Sequence, residues 1–290
     1  MLRASPLAVL VPLTLLGAGL WSVGSEAIAR VPRAVLRPPA DFPLETVALA
    51  DLARPELSGW VAERPGSCAV VVLLHGRGAS KADMVARAKL LFAFGYSVAL
   101  FDLSGHGESA GTMRGFGYAE AEDVHRILTF AKGRFDGQRI GAVGSSLGAA
   151  ALVFAADKEP ADAYVLEQLY ATLIETTALR SPIPFARKLQ AWLLLSQMPL
   201  RLGYGAADVR PIDHMGGIGG PALLLAGASD PFIDPSQTHA LKQASHLRAE
   251  LVWFEGAGHV DLQRYDAGKY RNAVVPFLEK NLCRNGVDPK

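Results

Sequence analysis

The chain alternates between two hydrophobic patterns. Short apolar runs fall at Leu44 to Leu52, Ser58 to Glu63, Cys68 to Leu74, Tyr96 to Phe101, Arg139 to Val143, Ala163 to Leu166, Ala222 to Ala226 and Glu250 to Phe254. The third of them, Cys-Ala-Val-Val-Val-Leu-Leu, has no polar face, as expected of a strand buried on both sides. Longer stretches with helical character lie between the runs: Lys81 to Phe94, Gly117 to Arg134, the Ala-rich run Ala149 to Ala156, Pro235 to His246 and Asp261 to Leu282. Strands alternating with helices of this length predict an α/β fold, a mostly parallel central sheet with helices on both faces. The first two runs are close enough to form a hairpin.

Two stretches stand outside this rhythm. From about residue 169 to 213 no strand pattern appears; Ala186 to Ser196 is apolar and helical, flanked by Pro182, Pro184 and Pro199. This insertion is expected above the C-terminal edge of the sheet, either as extra core packing or as a cap over a site. The second stretch is the N-terminus. Arg3 precedes an uncharged, mostly apolar run from Pro6 to Val23, and Ala27-x-Ala29 has the small-residue spacing of a signal-peptidase site. Residues 1–29 therefore read as a signal peptide or a membrane anchor, the run being just long enough to cross a bilayer. Export or membrane attachment is expected, on the periplasmic or extracellular side. A buried helix fits less well, because Pro6, Pro12 and several glycines interrupt the run and no polar face appears. Residues 30–43, with four prolines, read as a connector, and residues 44–290 as one domain.

Composition narrows the function classes. The chain is 50% hydrophobic and 20% charged, with a formal net charge of +1. A core of ordinary size follows, and no basic run supports nucleic-acid binding. Cys68 and Cys283 are the only cysteines, too few for a disulfide scaffold and without the spacing of a metal cluster. In an exported chain they are placed to form one staple between an early strand and the C-terminal helix; in a reducing compartment they would be small buried hydrophobes. No metal or cofactor is expected.

The candidate chemistry lies where the runs end. Arg139 to Val143 feeds Gly144-Ser145-Ser146-Leu147-Gly148, and the helix-forming run follows at once. Strand, sharp turn and helix place Ser146 at the apex of a strained turn, with small neighbours that keep strand and helix from colliding. A serine hydroxyl needs a base, and the base needs a carboxylate to orient it and stabilise its charged form. Asp230 follows the seventh run and His259 the eighth. The order Ser146, Asp230, His259 suits this architecture. Glu167, after the sixth run, and Asp234, further along the seventh loop, are rival acids. His75-Gly76-Arg77-Gly78 follows the third run, where free backbone N–H groups would stabilise an oxyanion. His75 reads as a turn-packing histidine, and Asp102 and His106 as parts of a structural polar turn.

These residues, together with Asp102-Leu103-Ser104-Gly105-His106-Gly107-Glu108-Ser109, resemble the α/β-hydrolase superfamily over roughly residues 44 to 282. The resemblance implies the α/β-hydrolase fold, Ser146 as nucleophile, His259 as base and Asp230 as its orienter. It implies an oxyanion hole formed by the N–H groups of Arg77 and Leu147. It points to the serine esterase, lipase and peptidase-like branches, since branches with an aspartate at the elbow differ here. A small-molecule acyl substrate of lipophilic character is expected, and a carboxylic ester first. A peptidase or amidase and a thioesterase on the same triad are alternatives. A non-catalytic binding protein on the same fold is the alternative of another class.

Overall fold

The computed structural model describes residues 6–31, 35–51, 53–246 and 248–283, with side chains from residue 17 onward. Eight strands form one sheet: β1 Glu45–Asp51, β2 Arg54–Ala62, β3 Ala69–Leu74, β4 Ser97–Phe101, β5 Arg139–Ser145, β6 Ala163–Glu167, β7 Ala222–Gly227 and β8 Ala249–Phe254, in the order β1-β2-β4-β3-β5-β6-β7-β8. β1 and β2 are an antiparallel hairpin, β2 pairs antiparallel with β4, and every other pair is parallel.

The helices are α1 Pro6–Ile28, α2 Val85–Ala93, α3 Ala121–Arg134, α4 Leu147–Ala155, α5 Leu173–Leu179, α6 Arg187–Leu195, α7 Met198–Leu202, α8 Pro211–His214, α9 Pro235–Ala244, α10 Leu262–Tyr265 and α11 Ala267–Leu278. They divide between the faces. Val70, Val72 and Leu74 of β3 pack into one core with Val124 and Ile127 of α3 and Leu152 of α4. Their neighbours Ala69, Val71 and Leu73 join a second core with Leu91 of α2 and Val274 of α11. Period-two alternation thus feeds both cores from a strand that has no polar side.

Three local features depart from the simplest reading of the pattern. The helix expected from Gly117 begins only at Ala121, because Gly117 takes a left-handed φ of 91° and the chain turns there. The helix expected over Asp261 to Leu282 is broken at Asp266, whose extended backbone and side chain cap α11 by accepting from the Lys269 N–H at 2.8 Å. Cys68 and Cys283 are joined in a disulfide across a sequence separation of 215, tying the start of β3 to the end of the C-terminal helical stretch.

The stretch between β6 and β7 carries α5 to α8 and no strand. Residues 1–5 and the side chains of residues 6–16 lie outside the described residues, and with them most side chains of the apolar N-terminal run. The backbone from Pro6 to Ile28 is a helix. Among the described residues no helix is long and apolar enough to cross a membrane, so the expectation of a spanning anchor gains no support. The end of α1 is built into the fold instead. Arg201 donates to the Trp21 carbonyl and the Ser25 hydroxyl, Arg77 to the Ala27 carbonyl and Arg114 to the Glu26 carbonyl. Cationic groups on the last carbonyls of a helix also match the negative end of its dipole.

Candidate active site

β3 leads to β4 on one side and, through α3, to β5 on its other side, so the connections diverge around β3. Crevices of this kind, at the carboxyl ends of strands, are where open α/β sheets hold their ligands. Gly76 and Arg77 follow the end of β3 here, and Ser146 follows the end of β5. Ser146 has φ 49° and ψ −101°, a conformation that L residues rarely adopt. The glycines around it permit the turn: a Cβ on Gly144 would lie 2.6 Å from the Ala149 nitrogen, and one on Gly148 2.6 Å from the Leu74 carbonyl. The Ser146 N–H donates to the Glu167 carbonyl at 2.8 Å, which ties the turn to the next strand.

The structure brings together the three residues singled out after β5, β7 and β8. His259 Nε2 lies 3.3 Å from Ser146 Oγ, and His259 Nδ1 lies 2.7 Å from Asp230 Oδ2. The other Asp230 oxygen accepts from the N–H groups of Phe232 at 2.8 Å and Ile233 at 3.2 Å, fixing the carboxylate. Gly227 allows the two loops to meet, because a Cβ there would lie 2.5 Å from the Ala257 carbonyl. Leu147 opens α4, so its N–H has no partner within the helix. The Arg77 N–H meets no backbone acceptor among the described residues. Both border the same cavity as Ser146.

The rival acids are otherwise engaged. Glu167 is buried and forks onto Arg87, with oxygens 2.8 Å and 2.6 Å from Nε and Nη2, and it also accepts from the Tyr270 hydroxyl at 2.6 Å. Asp234 caps α9 by accepting from the Ser236 N–H at 2.9 Å. The histidine and aspartate of the polar turns are structural. His75 is buried, accepts from the Leu103 N–H at 3.1 Å and sits at Nδ1 2.7 Å from the Gly76 carbonyl. His106 packs on it, and burial pushes its imidazole down to about 3. Asp102 is buried against the Lys81 ammonium at 2.6 Å.

Two supports escaped the sequence reading. Arg87 joins Glu167 to Asp261, two residues beyond His259, with Nη1 3.0 Å from Asp261 Oδ2. Gln168, buried at a φ of 49°, donates from Nε2 to the Gly258 carbonyl at 2.7 Å. Both brace the loop that carries His259, and both are visible only once β6, α2 and that loop are side by side.

A cavity of about 470 Å³ opens over Ser146. Its far walls are Leu194, Leu195 and Met198 from the insertion, and Gly24, Ala27 and Ile28 from α1. The insertion is therefore a cap. Trp192, the largest apolar side chain of α6, points away: it is 58% exposed and does not border the cavity.

Comparisons with known proteins agree with this architecture. The model of the family described as Serine aminopeptidase, S33 matches residues 65–208, about half of the chain. The Bacillus subtilis protein YqkD is 26% identical over 217 residues, covering 72% of this chain and 70% of its own. Among solved structures, the Pyrococcus furiosus esterase Pf2001 superposes with a TM-score of 0.72 at 23% identity, over 88% of this chain and 98% of its own. The thioesterase domain from the curacin biosynthetic pathway superposes with a TM-score of 0.57 at 19% identity, over 82% and 99%. The doubly covered sheet, the serine turn after β5 and these likenesses make the chain a member of the α/β-hydrolase superfamily.

Proposed function

We propose that this protein is a serine hydrolase that cleaves a carboxylic ester through an acyl-enzyme. The observation that carries the reading is the unbroken relay from Asp230 through His259 to Ser146, at 2.7 Å and 3.3 Å. Ser146 Oγ attacks the ester carbonyl while His259 Nε2 takes its proton. Asp230 holds the Nδ1–H tautomer and stabilises the imidazolium. The oxyanion that forms is received by the N–H groups of Leu147 and Arg77. Collapse expels the alcohol with the proton from His259. Water then attacks the acyl carbonyl, with His259 again as base, and the acid leaves.

A fluorophosphonate probe tests the nucleophile. Wild-type protein is expected to label and Ser146→Ala to lose both label and turnover, with kcat down by roughly 10⁴-fold or more. Ser145→Ala is expected to retain most activity, since only Ser146 faces His259. Labelling that survives Ser146→Ala, or no labelling of the folded wild type, sinks the proposal and favours a binding protein on the same fold. The family's description as a serine aminopeptidase favours amide cleavage as a second reading. Aminoacyl-anilides assayed beside p-nitrophenyl esters of graded chain length decide between the two.

An exported location at a membrane surface forms part of the proposal. Phe185, Leu189 and Trp192, at helical spacing, face solvent on the outer side of the cap, and Leu200, Trp21 and Val23 are exposed beside them. Residues 176–207 contain Arg180, Arg187, Lys188 and Arg201 and no acidic residue. An apolar stripe with basic flanks suits the interface of an anionic bilayer. The full chain is expected to float with phosphatidylglycerol vesicles and less with phosphatidylcholine vesicles, and Phe185→Ser with Trp192→Ser to float less. Equal behaviour of the double variant would remove the cap from the interface.

A further inference from the structure

The cavity over Ser146 is bordered by more cationic than acidic side chains, Arg77, Arg87, Arg180, Arg201 and Arg264 against Asp83 and Asp261. Arg180, at the end of α5, and Arg77, after β3, both border it. Arg180 donates Nη1 to the Thr176 carbonyl at 3.0 Å and to its hydroxyl at 2.8 Å; Arg77 donates Nη2 to the Ala27 carbonyl at 2.6 Å. Among the described residues neither forms an ion pair, and Nε and Nη2 of Arg180 keep no protein acceptor. The acids at the cavity wall are already engaged: Asp261 lies on Arg87, and Asp83 accepts from the Ser80 N–H at 2.9 Å and its hydroxyl.

Arg180 is also held in a fixed place. Its guanidinium stacks 4.2 Å over the Phe232 ring, and that ring lies 5.7 Å from the His259 imidazole. Phe232 is itself fixed by the bond from its N–H to Asp230. A column of guanidinium, phenyl and imidazole therefore sets one cation beside the reacting centre. Arg77 and Arg180 lie near enough to repel: burial first, then Arg114 and Arg180, push Arg77 down to about 10, and Glu120 only partly offsets this. The nearest carboxylates, Glu120 towards Arg77 and Asp230 towards Arg180, offset this repulsion without direct contact and are already engaged, Glu120 by the Gly115 and Gly117 N–H groups and Asp230 by His259, so a ligand anion would supply the direct counter-charge both arginines lack. The planar fork of arginine matches carboxylate and phosphate oxygens.

We propose that the preferred substrate is an ester bearing a negatively charged group, carboxylate or phosphate, which the Arg180 fork receives with Arg77 while the ester carbonyl lies at Ser146. This inference rests on the esterase reading and sharpens its substrate class. The apolar walls take the hydrocarbon part, and the arginines fix the end that carries charge.

The test uses matched esters and the full chain. 4-Nitrophenyl hexanoate is compared with mono-4-nitrophenyl adipate, charged on the acyl side, and with 3-carboxy-4-nitrophenyl hexanoate, charged on the leaving group. One of the charged esters is expected to exceed the neutral one in kcat/KM by roughly tenfold, the range of a charge-assisted bond at a partly exposed site. In Arg180→Gln that ratio is expected to fall towards one, in Arg180→Lys to fall part of the way, and in half-molar salt to shrink in the wild type. Binding to Ser146→Ala, followed by calorimetry, reads recognition without turnover. The charged ester should bind about tenfold tighter there, and Arg180→Gln on that background should remove the difference. Ratios near one for both charged esters, equal binding to Ser146→Ala, or a ratio that survives Arg180→Gln overturns the proposal. Fluorophosphonate labelling and hexanoate turnover report on the nucleophile separately, so failure of the esterase reading is recognised as such.

Discussion

At the scale of single residues, the site depends on which groups are left free. Glu167 and Asp230 are both nearly buried carboxylates at the ends of neighbouring strands, yet only Asp230 meets the histidine. Arg87 and Tyr270 occupy Glu167, and a buried carboxylate held by a guanidinium fork and a hydroxyl is not free to turn towards the histidine. Asp230→Asn is expected to leave the fold intact and to lower kcat by roughly 10⁴-fold, because the amide favours the wrong tautomer of His259. Turnover like the wild type's would move the orienting role away from Asp230. In the Glu167→Gln counterpart the loss should appear first as a lowered melting temperature, since buried Arg87 would lose its buried counter-charge and keep only the partly exposed Asp261.

At the scale of elements, the turn before α3 and the loops beneath the cap are joined by one acid. Glu120 is fully buried, accepts from the Gly117 N–H at 2.8 Å and from the Gly115 N–H, and faces the Tyr170 and Tyr204 hydroxyls and the Arg77 and Arg114 guanidiniums. Tyr204 donates to the Gly115 carbonyl at 2.8 Å, and Tyr170 to the Phe116 carbonyl, so the cap leans on this turn. Burial raises the Glu120 carboxyl to about 7. Between pH 4.5 and 7 the folded chain keeps a proton that the unfolded chain has lost. Stability from this group is therefore greatest below pH 4.5 and falls as pH rises through 7, by about 3 kcal/mol over the window. Glu120→Gln removes the titration. Relative to wild type, its melting temperature is expected to improve steadily from pH 4.5 to 7.5. A difference that stays constant across that range would show that the carboxyl titrates in the folded chain as it does in water.

At the scale of the whole molecule, the N-terminal helix is both outside the sheet and inside the site. The strands and both cores lie beyond residue 30, but Gly24, Ala27 and Ile28 complete the cavity wall and four arginine contacts hold the helix end down. A chain starting at Arg30 is expected to fold, because every strand and both cores remain. Its KM for long-chain esters should rise several-fold more than its KM for acetate esters, since only the longer chains reach the missing wall. A uniform change across chain lengths would mean that the helix does not contact the acyl chain. Failure to fold would make α1 part of the domain's core.

Strand and helix alternation, the strained turn at Ser146 and the order of serine, acid and base were legible in the sequence. Each is a local pattern: burial on both faces shows as an unbroken apolar run, and the turn needs small residues at Gly144 and Gly148 whatever surrounds it. What touches what across the fold was not legible, because it depends on chain segments tens or hundreds of residues apart. Asp230 was already favoured by that order, but that Glu167 is engaged elsewhere came only from Arg87 on another helix. The outward turn of Trp192 came from how α6 seats Ala191 and Leu195 inward. The cystine formed because β3 begins where the last helical stretch ends. The unpaired guanidiniums of Arg77 and Arg180 gained meaning only when the cap and the β3 turn closed on one cavity, for charge balance belongs to a volume and not to a stretch of chain.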